Sequence, residues 1–377
     1  MRRGVAALLI TLALATGVFG ASARWNCLGF EHRFMLDTSN YGIYPARMMM
    51  FADAVWVIPS IPAAAAVPDN MMAGLLVSQG QQAWAIHYNL PGTIAFNRLR
   101  TGLNQAGGNL GLLADRLRPM PDAFYARKLG DMTVAGRLVL GLASSEPVAD
   151  KSASGMAIDV AGGIIKPLSV GDLDVGLRIA SASFKDDAAN IESTGGMGLA
   201  MDARLLMKGS GGVTLIPLFG FEYGTDPTVD GAAEVSRLGV DLGIGWNRMD
   251  ASKRMLVYGA TLAYDAVTTS PPAGSDVSVN TLELAYLAGY EKPLNKWLVG
   301  RAGARGVITN NSGDNPAVNG TRANFDYNFG IRTIYQRVLL DFQFDKALLH
   351  RGPYVLSGAA ANWSPNVCIT YLLEPAE

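Results

Sequence analysis

Charge is scarce in this chain. Only 17% of its 377 residues are charged and 49% are hydrophobic, whereas a typical soluble domain carries about 25% charge. The 31 basic and 32 acidic residues nearly cancel, so no strong net field favours nucleic acid as a partner. This composition is unusual for a soluble domain and does not indicate a nucleic-acid-binding protein.

Long apolar runs are absent after the amino terminus, which argues against a helical membrane protein. The first 23 residues combine a basic start, an apolar run and the small residues Ala21-Ser22-Ala23. That order is typical of a cleaved secretory signal. We predict that residues 1–23 are a signal peptide and that the mature chain, starting at Arg24, leaves the cytoplasm.

Cysteine and histidine are also rare. Cys27 and Cys368 stand near the two ends of the mature chain, where they could pair across a very long loop or remain two thiols. His32, His87 and His350 are the three histidines, and no GxSxG, HExxH or zinc-ligand spacing surrounds them. We therefore predict no enzymatic activity, no metal site and no cofactor.

Apolar and polar residues alternate along much of the chain. In residues 322–335, Phe325, Tyr327 and Phe329 share one face, while Arg322 and Asp326 share the other. Similar period-two patterns occur in residues 72–90, 133–143, 173–185, 197–207, 213–223, 234–246, 255–265, 277–291, 297–307 and 338–345. So many alternating segments predict a single all-β architecture.

The links between these segments alternate in length. Residues 208–211, 247–253, 292–296 and 336 are short links, whereas residues 185–194, 225–231, 268–276 and 309–321 are longer and rich in turn formers. Short turns opposite longer loops predict an up-and-down antiparallel sheet with two unequal ends.

A sandwich, a soluble barrel and a transmembrane barrel all show such alternation. Sandwich strands average about five or six residues, and several segments here are longer. Trp246, Tyr264, Tyr290, Trp297 and Tyr335 stand near segment ends, as aromatic residues do at a membrane interface. We predict a transmembrane up-and-down antiparallel β-barrel in the outer membrane of a bacterium with two membranes, with about 14 strands and a range of about 12 to 16.

The polar faces of the strands contain arginine and aspartate of mixed sign and few lysines, which suits a narrow lumen. In this prediction the aromatic face of residues 322–335 contacts lipid. The predicted lumen-facing residues are Arg137, Asp174, Arg178, Asp202, Arg204, Arg237, Asp241, Glu283, Arg301, Arg305, Asp326 and Arg332. For any single one of them, the favoured alternative is a structural role as a charge that holds the barrel in shape.

Three other features complete the predicted organisation. The barrel is assigned to residues 54–377, and residues 24–53 form a plug in its lumen, a periplasmic arm or a first strand. Residues 109–118 have helical spacing before two prolines and predict a short helical insert. Pro217 interrupts an alternating segment, where it marks a tolerated bulge or a kink that opens a lateral gap.

Two motifs carry a family resemblance. Tyr44-Pro45-Ala46 follows Asp37-Thr38-Ser39-Asn40, and Phe124-Tyr125-Ala126-Arg127-Lys128-Leu129-Gly130 ends a predicted strand. In these features the chain resembles the long-chain fatty-acid transporter superfamily, and more closely its relatives akin to the secretion component PorV. Tyr44 stands where the transporters usually have asparagine. The resemblance implies a lumen plug and lateral exit of a hydrophobic substrate.

We therefore predict passive uptake or diffusion of small solutes, hydrophobic ones included, across the outer membrane. The predicted partners are outer-membrane lipid and a small-molecule solute. The alternative is a plugged barrel that acts as a scaffold or anchor for secreted or surface proteins, with a secretion-machinery partner. Passage of solutes requires a conducting lumen, whereas the scaffold does not.

Overall fold

The computed structural model describes residues 28, 32–35, 38–51, 53–58, 72–88, 98–99, 101–103, 118–148, 151–229, 231–314, 317, 319–344 and 366–373. The predicted signal peptide, Cys27 and residues 109–117 of the predicted insert helix lie outside this part of the chain. No helix in the described part is long and apolar enough to cross a lipid bilayer.

Seventeen strands form one sheet in which every pairing is antiparallel. They are β1 (Ala54–Ile58), β2 (Met72–Gln79), β3 (Gln82–Tyr88), β4 (Arg118–Leu129), β5 (Met132–Val148), β6 (Lys151–Leu168), β7 (Gly171–Asp186), β8 (Ile191–Glu192), β9 (Gly196–Lys208), β10 (Val213–Thr225), β11 (Glu234–Met249), β12 (Met255–Ser270), β13 (Val277–Asn295), β14 (Leu298–Gly313), β15 (Gly320–Tyr335), β16 (Val338–Phe344) and β17 (Asn366–Leu372).

All strands except β8 form a closed ring of sixteen. The ring closes where β1 pairs with β17, from Ala54 opposite Leu372 to Val57 opposite Ile369. The all-β antiparallel barrel is thus confirmed, and the expected count of about 14 was two strands too low. β6 was not predicted as a strand. Its inward positions are mostly glycine and alanine, so its alternation of apolar and polar residues is weak.

The two ends of the ring differ in their connections. Two-residue turns at 80–81, 130–131 and 169–170 lie at the end we call the turn end. The longer links at 187–195 and 226–233 lie at the opposite end, which we call the loop end. Gly80 and Gly130 have φ angles of 60° and 63°, which glycine adopts without strain.

Prolines in the strands disturb the ladders locally. The predicted insert helix was wrong at Arg118, which is the first residue of β4. The register of β4 with β5 shifts between Pro119 and Asp122, because proline has no N–H to donate. Helical residues occur instead at 98–99 and 101–103.

The outward face of the ring is apolar around its circumference. Fifteen side chains, each 37–61% exposed, form what we call the outer band: Leu138, Leu140, Leu142, Val160, Ile164, Leu177, Ile179, Leu199, Leu242, Ile244, Leu262, Leu282, Leu284, Ile308 and Phe325. Outward aromatic side chains lie near the turn end: Trp84, Tyr125, Trp246, Tyr258, Tyr290, Trp297, Tyr335 and Tyr371. Small, polar and charged side chains predominate on the inward face.

The described residues of 28–51, which we call the N-terminal segment, lie inside the ring. Their described part contains three short 3-10 helices, His32–Phe34, Thr38–Gly42 and Pro45–Met50. They contact inward positions on strands from β3 to β13. Inward glycines make room for this chain: Phe34 lies against Gly245 and Gly259.

Candidate functional site: the barrel interior

The interior near the turn end is filled by the N-terminal segment. Leu28, Phe34 and Met35 are at most 1% exposed and pack against Ile216 and Val257 of the barrel wall. Burial of such side chains contributes about 1.5–3 kcal/mol each. This part of the segment is therefore anchored by a hydrophobic core of its own.

A buried ion cluster fixes the same segment. Arg47 donates from Nε (2.8 Å) and Nη2 (2.5 Å) to the Asp174 carboxylate, and Arg204 Nε donates to Asp174 at 2.8 Å. Arg204 Nη1 also donates to the backbone carbonyls of Arg33 (2.6 Å) and Met35 (2.9 Å). The Arg47, Asp174 and Arg204 side chains are at most 1% exposed. Removal of the Asp174 carboxylate would therefore take the shared counter-charge from two buried guanidinium groups.

Tyr44 completes this cluster. The Arg204 guanidinium lies 4.4 Å from the centre of the Tyr44 ring, in cation–π geometry. The Tyr44 hydroxyl has no hydrogen-bond partner among the described residues. Burial raises the pKa of Tyr44 above its ordinary value, so the phenol stays neutral beside the arginine.

A second buried cluster, on the barrel wall, forms hydrogen bonds with residues 41 and 42 of the N-terminal segment. Arg137 pairs with Asp122 (Nη2 to Oδ2, 2.7 Å) and donates from Nη1 to the carbonyl of Gly42 at 3.0 Å. The Tyr41 hydroxyl lies 2.9 Å from His87 Nε2. His87 is 1% exposed, so this histidine is a packed contact of the N-terminal segment.

A third cluster joins β13 to β16. Arg301 contacts Glu291 at 2.6 Å and also Asp341, while Arg332 Nη2 lies 2.8 Å from Asp341 Oδ2. Two cations thus face two carboxylates, and Arg301 and Asp341 are buried. The arrangement ties four neighbouring strands of the wall together.

Between the N-terminal segment and the loop end lies a cavity of about 240 Å³, the central cavity. Three guanidinium groups and five carboxylates line it, from Arg33, Arg178, Arg305, Asp202, Glu222, Asp241, Asp265 and Glu283. Five ion pairs border it: Arg33–Asp241 at 2.8 Å, Arg33–Asp202 at 3.5 Å, Arg178–Asp202 at 2.8 Å, Arg305–Glu283 at 2.9 Å and Arg98–Glu222 at 3.1 Å.

Small residues alternate with carboxylates along the wall of this cavity. Across neighbouring strands, Asp202 is followed by Gly220 and then by Asp241. A Cβ added at Gly220 would collide with the Asp241 carboxylate, and one at Gly239 would lie 2.9 Å from Asp265 Oδ1. Glycine between the strands therefore lets these carboxylates lie along the wall and keeps the cavity open.

Residues 98–99 and 101–103 occupy the interior at the loop end. Leu99 and Leu103 are fully buried against alanines of β5, β6, β7 and β9. Arg98 pairs with Asp226 at 3.3 Å, and Arg237 also reaches Asp226, at 3.0 Å. Asp226 thus joins two guanidinium groups at the loop end.

The structure brings the predicted residues together in several groups. Arg178, Asp202, Asp241, Glu283 and Arg305 line the central cavity. Arg137, Asp174, Arg204, Arg301 and Arg332 belong to the buried clusters, Arg237 to the loop-end contact, and Asp326 lies opposite Arg305 on β15. That any of them contacts a solute stays a prediction.

Several partners were missed from the sequence. Arg33 and Arg47 lie in the segment expected to be a plug, an arm or a first strand, and its lack of alternation did not indicate which of its residues contact the barrel wall. The sequence did contain a pattern from which Glu291 and Asp341 could have been predicted as partners. Each lies directly across a short turn from a predicted arginine, Arg301 and Arg332 respectively.

Pro217 lies on the outward face of β10. Pairing with β9 is missing at residues 216 and 217, yet Leu215 opposite Met207 and Leu218 opposite Arg204 keep one register. The interruption is thus two residues long, and a lateral gap at this point stays a prediction.

Comparisons with known proteins do not identify a family. No protein-family model matches the chain, and no curated protein matches it. Among solved structures, the FrpB iron transporter from Neisseria meningitidis (F3-3 variant) overlaps with 8% identity and a TM-score of 0.43, over 78% of this chain and 61% of that chain. The siderophore receptor PirA from Pseudomonas aeruginosa overlaps with 9% identity and a TM-score of 0.30, over 84% and 78% of the two chains. The chain thus spans about 61% of the length of FrpB, and the resemblance to the fatty-acid transporters stays a prediction.

Proposed function

We propose that this chain is an outer-membrane β-barrel that admits small polar solutes from the loop end, with the N-terminal segment as its plug. The observation that carries the membrane assignment is the outer band on a closed ring. Soluble monomers rarely expose a contiguous apolar patch of more than a few hundred Å², and a closed barrel with an aromatic girdle is the β-structure that lipid tolerates.

The interior supports a polar solute better than a hydrophobic one. The central cavity is lined chiefly by charged side chains, and an apolar solute would displace their hydration without replacing it. Below the cavity, the N-terminal segment is anchored by the Asp174 cluster. In this proposal the solute enters the cavity readily, and further passage depends on the plug.

Planar-bilayer conductance tests the plug. The mature chain, residues 24–377, should be folded, as judged by a heat-dependent shift in gel mobility, and nearly silent. A variant without residues 24–51 should give discrete current steps, since the interior at the turn end would then be open. Equal conductance of the two folded proteins would contradict the proposal.

A plugged scaffold for secreted or surface proteins is the second candidate. The observation in its favour is the burial of charged groups that fix the N-terminal segment, because a non-conducting barrel can keep its lumen permanently filled. A folded barrel that stays silent after removal of residues 24–51 would favour the scaffold.

A further inference from the structure

We propose that the central cavity is a binding site for a small zwitterion, a solute with an ammonium and a carboxylate group. The inference rests on the proposed function and adds to it the class of solute. Its basis is that side chains of both charge signs face one cavity, that one carboxylate has no partner among the described residues, and that a paired guanidinium keeps N–H donors to spare.

The negative side of the site is Asp265. Four of the five ion pairs bordering the cavity are made by the three arginines that line it, and Arg98 supplies the fifth. The described residues provide no ion pair or hydrogen bond to the Asp265 carboxylate. Five carboxylates therefore face four guanidinium groups, and an incoming ammonium group can neutralise the surplus charge.

The positive side is Arg305 on β14. Its Nη2 lies 2.9 Å from Glu283, and both side chains are about one-third exposed (33% and 31%). A guanidinium has five N–H donors in a planar fork, so this ion pair leaves donors for a carboxylate. Arg178, 14% exposed and bound to Asp202, offers a second guanidinium on the opposite flank of the carboxylates.

Size and charge argue against two other occupants. A cavity of about 240 Å³ is far larger than a metal ion. Within the described residues, no three His, Cys, Asp or Glu are placed to hold a metal ion. A neutral solute could hydrogen-bond here, but it would leave the surplus carboxylate without a counter-charge.

Saturation-transfer NMR on the folded mature chain in detergent tests the site with four probes of similar size: β-alanine, propylammonium, propionate and propionamide. β-Alanine should bind most tightly and propionamide least. Asp265→Asn should weaken β-alanine by about tenfold or more, as expected for loss of a charge-assisted contact. Asp276→Asn, the same change at an exposed loop-end residue outside the cavity lining, should leave binding unchanged.

The Arg305→Gln variant tests the carboxylate-binding side of the site independently. It should weaken β-alanine while propylammonium binds as well as before or better, because only the carboxylate contact is removed. The proposal is overturned if propionamide binds as tightly as β-alanine, or if neither Asp265→Asn nor Arg305→Gln changes β-alanine affinity.

Uptake of the same probes into proteoliposomes separates this site from the proposed function. Charge-selective binding to the mature chain, with no uptake even by the folded variant that lacks residues 24–51, would uphold the site and overturn solute transport. Uptake that ignores both the charge of the probe and the Asp265→Asn change would uphold transport and overturn the site.

Discussion

Near the turn end the Arg47, Asp174 and Arg204 side chains are at most 1% exposed, whereas in the central cavity Arg305 and Glu283 are 33% and 31% exposed. The residue types and the strand architecture are the same in both places. The difference is what covers them: the N-terminal segment excludes water from the first group, while open space borders the second. Near the turn end, arginine–carboxylate pairs therefore anchor the N-terminal segment. In the central cavity, pairs of the same kind remain accessible to solutes.

The largest expected effect tests this difference directly. Asp174→Asn removes the carboxylate that two buried guanidinium groups share and leaves Arg47 only Asp172, at 3.9 Å. It should lower the free energy of unfolding by about 3–5 kcal/mol. Glu283→Gln, the matched removal of a carboxylate from the cavity, should change it by about 1 kcal/mol or less. Urea unfolding from lipid vesicles, followed by tryptophan fluorescence, measures both. Similar losses in the two variants would show that burial does not separate the regions.

A methyl group added beneath the plug should have the next largest effect. A Cβ at Gly176 would collide with the Ile43 carbonyl oxygen, whereas one at Gly136 would have no heavy atom closer than 3.9 Å. Gly176→Ala should therefore cost about 1–3 kcal/mol through overpacking and speed tryptic cleavage after Arg47. Gly136→Ala is the control, and trypsin should cleave it at the wild-type rate. Unchanged cleavage in Gly176→Ala would mean that the segment does not sit tightly on β7.

Cysteine labelling along β15 sharpens the comparison within one strand. Cysteine at Phe325 or Phe329 should be protected by lipid from a water-soluble reagent. Cysteine at Asp326 should react faster than cysteine at Asn328, since Asn328 is 8% exposed and lies nearer the turn end. Uniform labelling of both faces would contradict the barrel, and equal rates at 326 and 328 would contradict the two interior regions.

The smallest effect is expected outside the barrel interior. The hydrogen bond from Lys166 (2.8 Å) lowers the pKa of Asp131, a turn residue, below its ordinary value. Because the folded pKa is depressed, this contribution to stability is present above the unfolded pKa and is lost as pH falls through the folded pKa. Unfolding measured from about pH 6 to about pH 3 should show slightly less acid destabilisation in Asp131→Asn than in wild type. Identical profiles would indicate that solvent screens this pair completely.

Alternation in the sequence was sufficient to predict the architecture. Segments such as 234–246 and 277–291 have a period of two, and their short turns fix antiparallel neighbours. β6 escaped prediction because Gly155, Ala157 and Gly163 on its inward face carry little polarity. In three dimensions those positions are small because Leu99 and Pro45 pack against them.

The contacts in the interior were less predictable, because many of them join residues that are far apart in the sequence. Arg332 and Asp341 are joined by a hairpin, so counting across the turn at 336–337 finds the pair. Arg47 and Asp174 are 127 positions apart, and their contact depends on an irregular segment entering the ring. No local pattern in the sequence encodes that entry.

Closure of the ring by β1 and β17 has a consequence for biogenesis. The two strands are the first and last of the ring, so until residues 366–372 are available the growing sheet has two unpaired edges. Such edges are templates for pairing with other chains, and contacts between sequence-distant strands form slowly. We expect this barrel to depend on a chaperone or an insertion catalyst that shields both edges until the seam between Ala54 and Leu372 is formed.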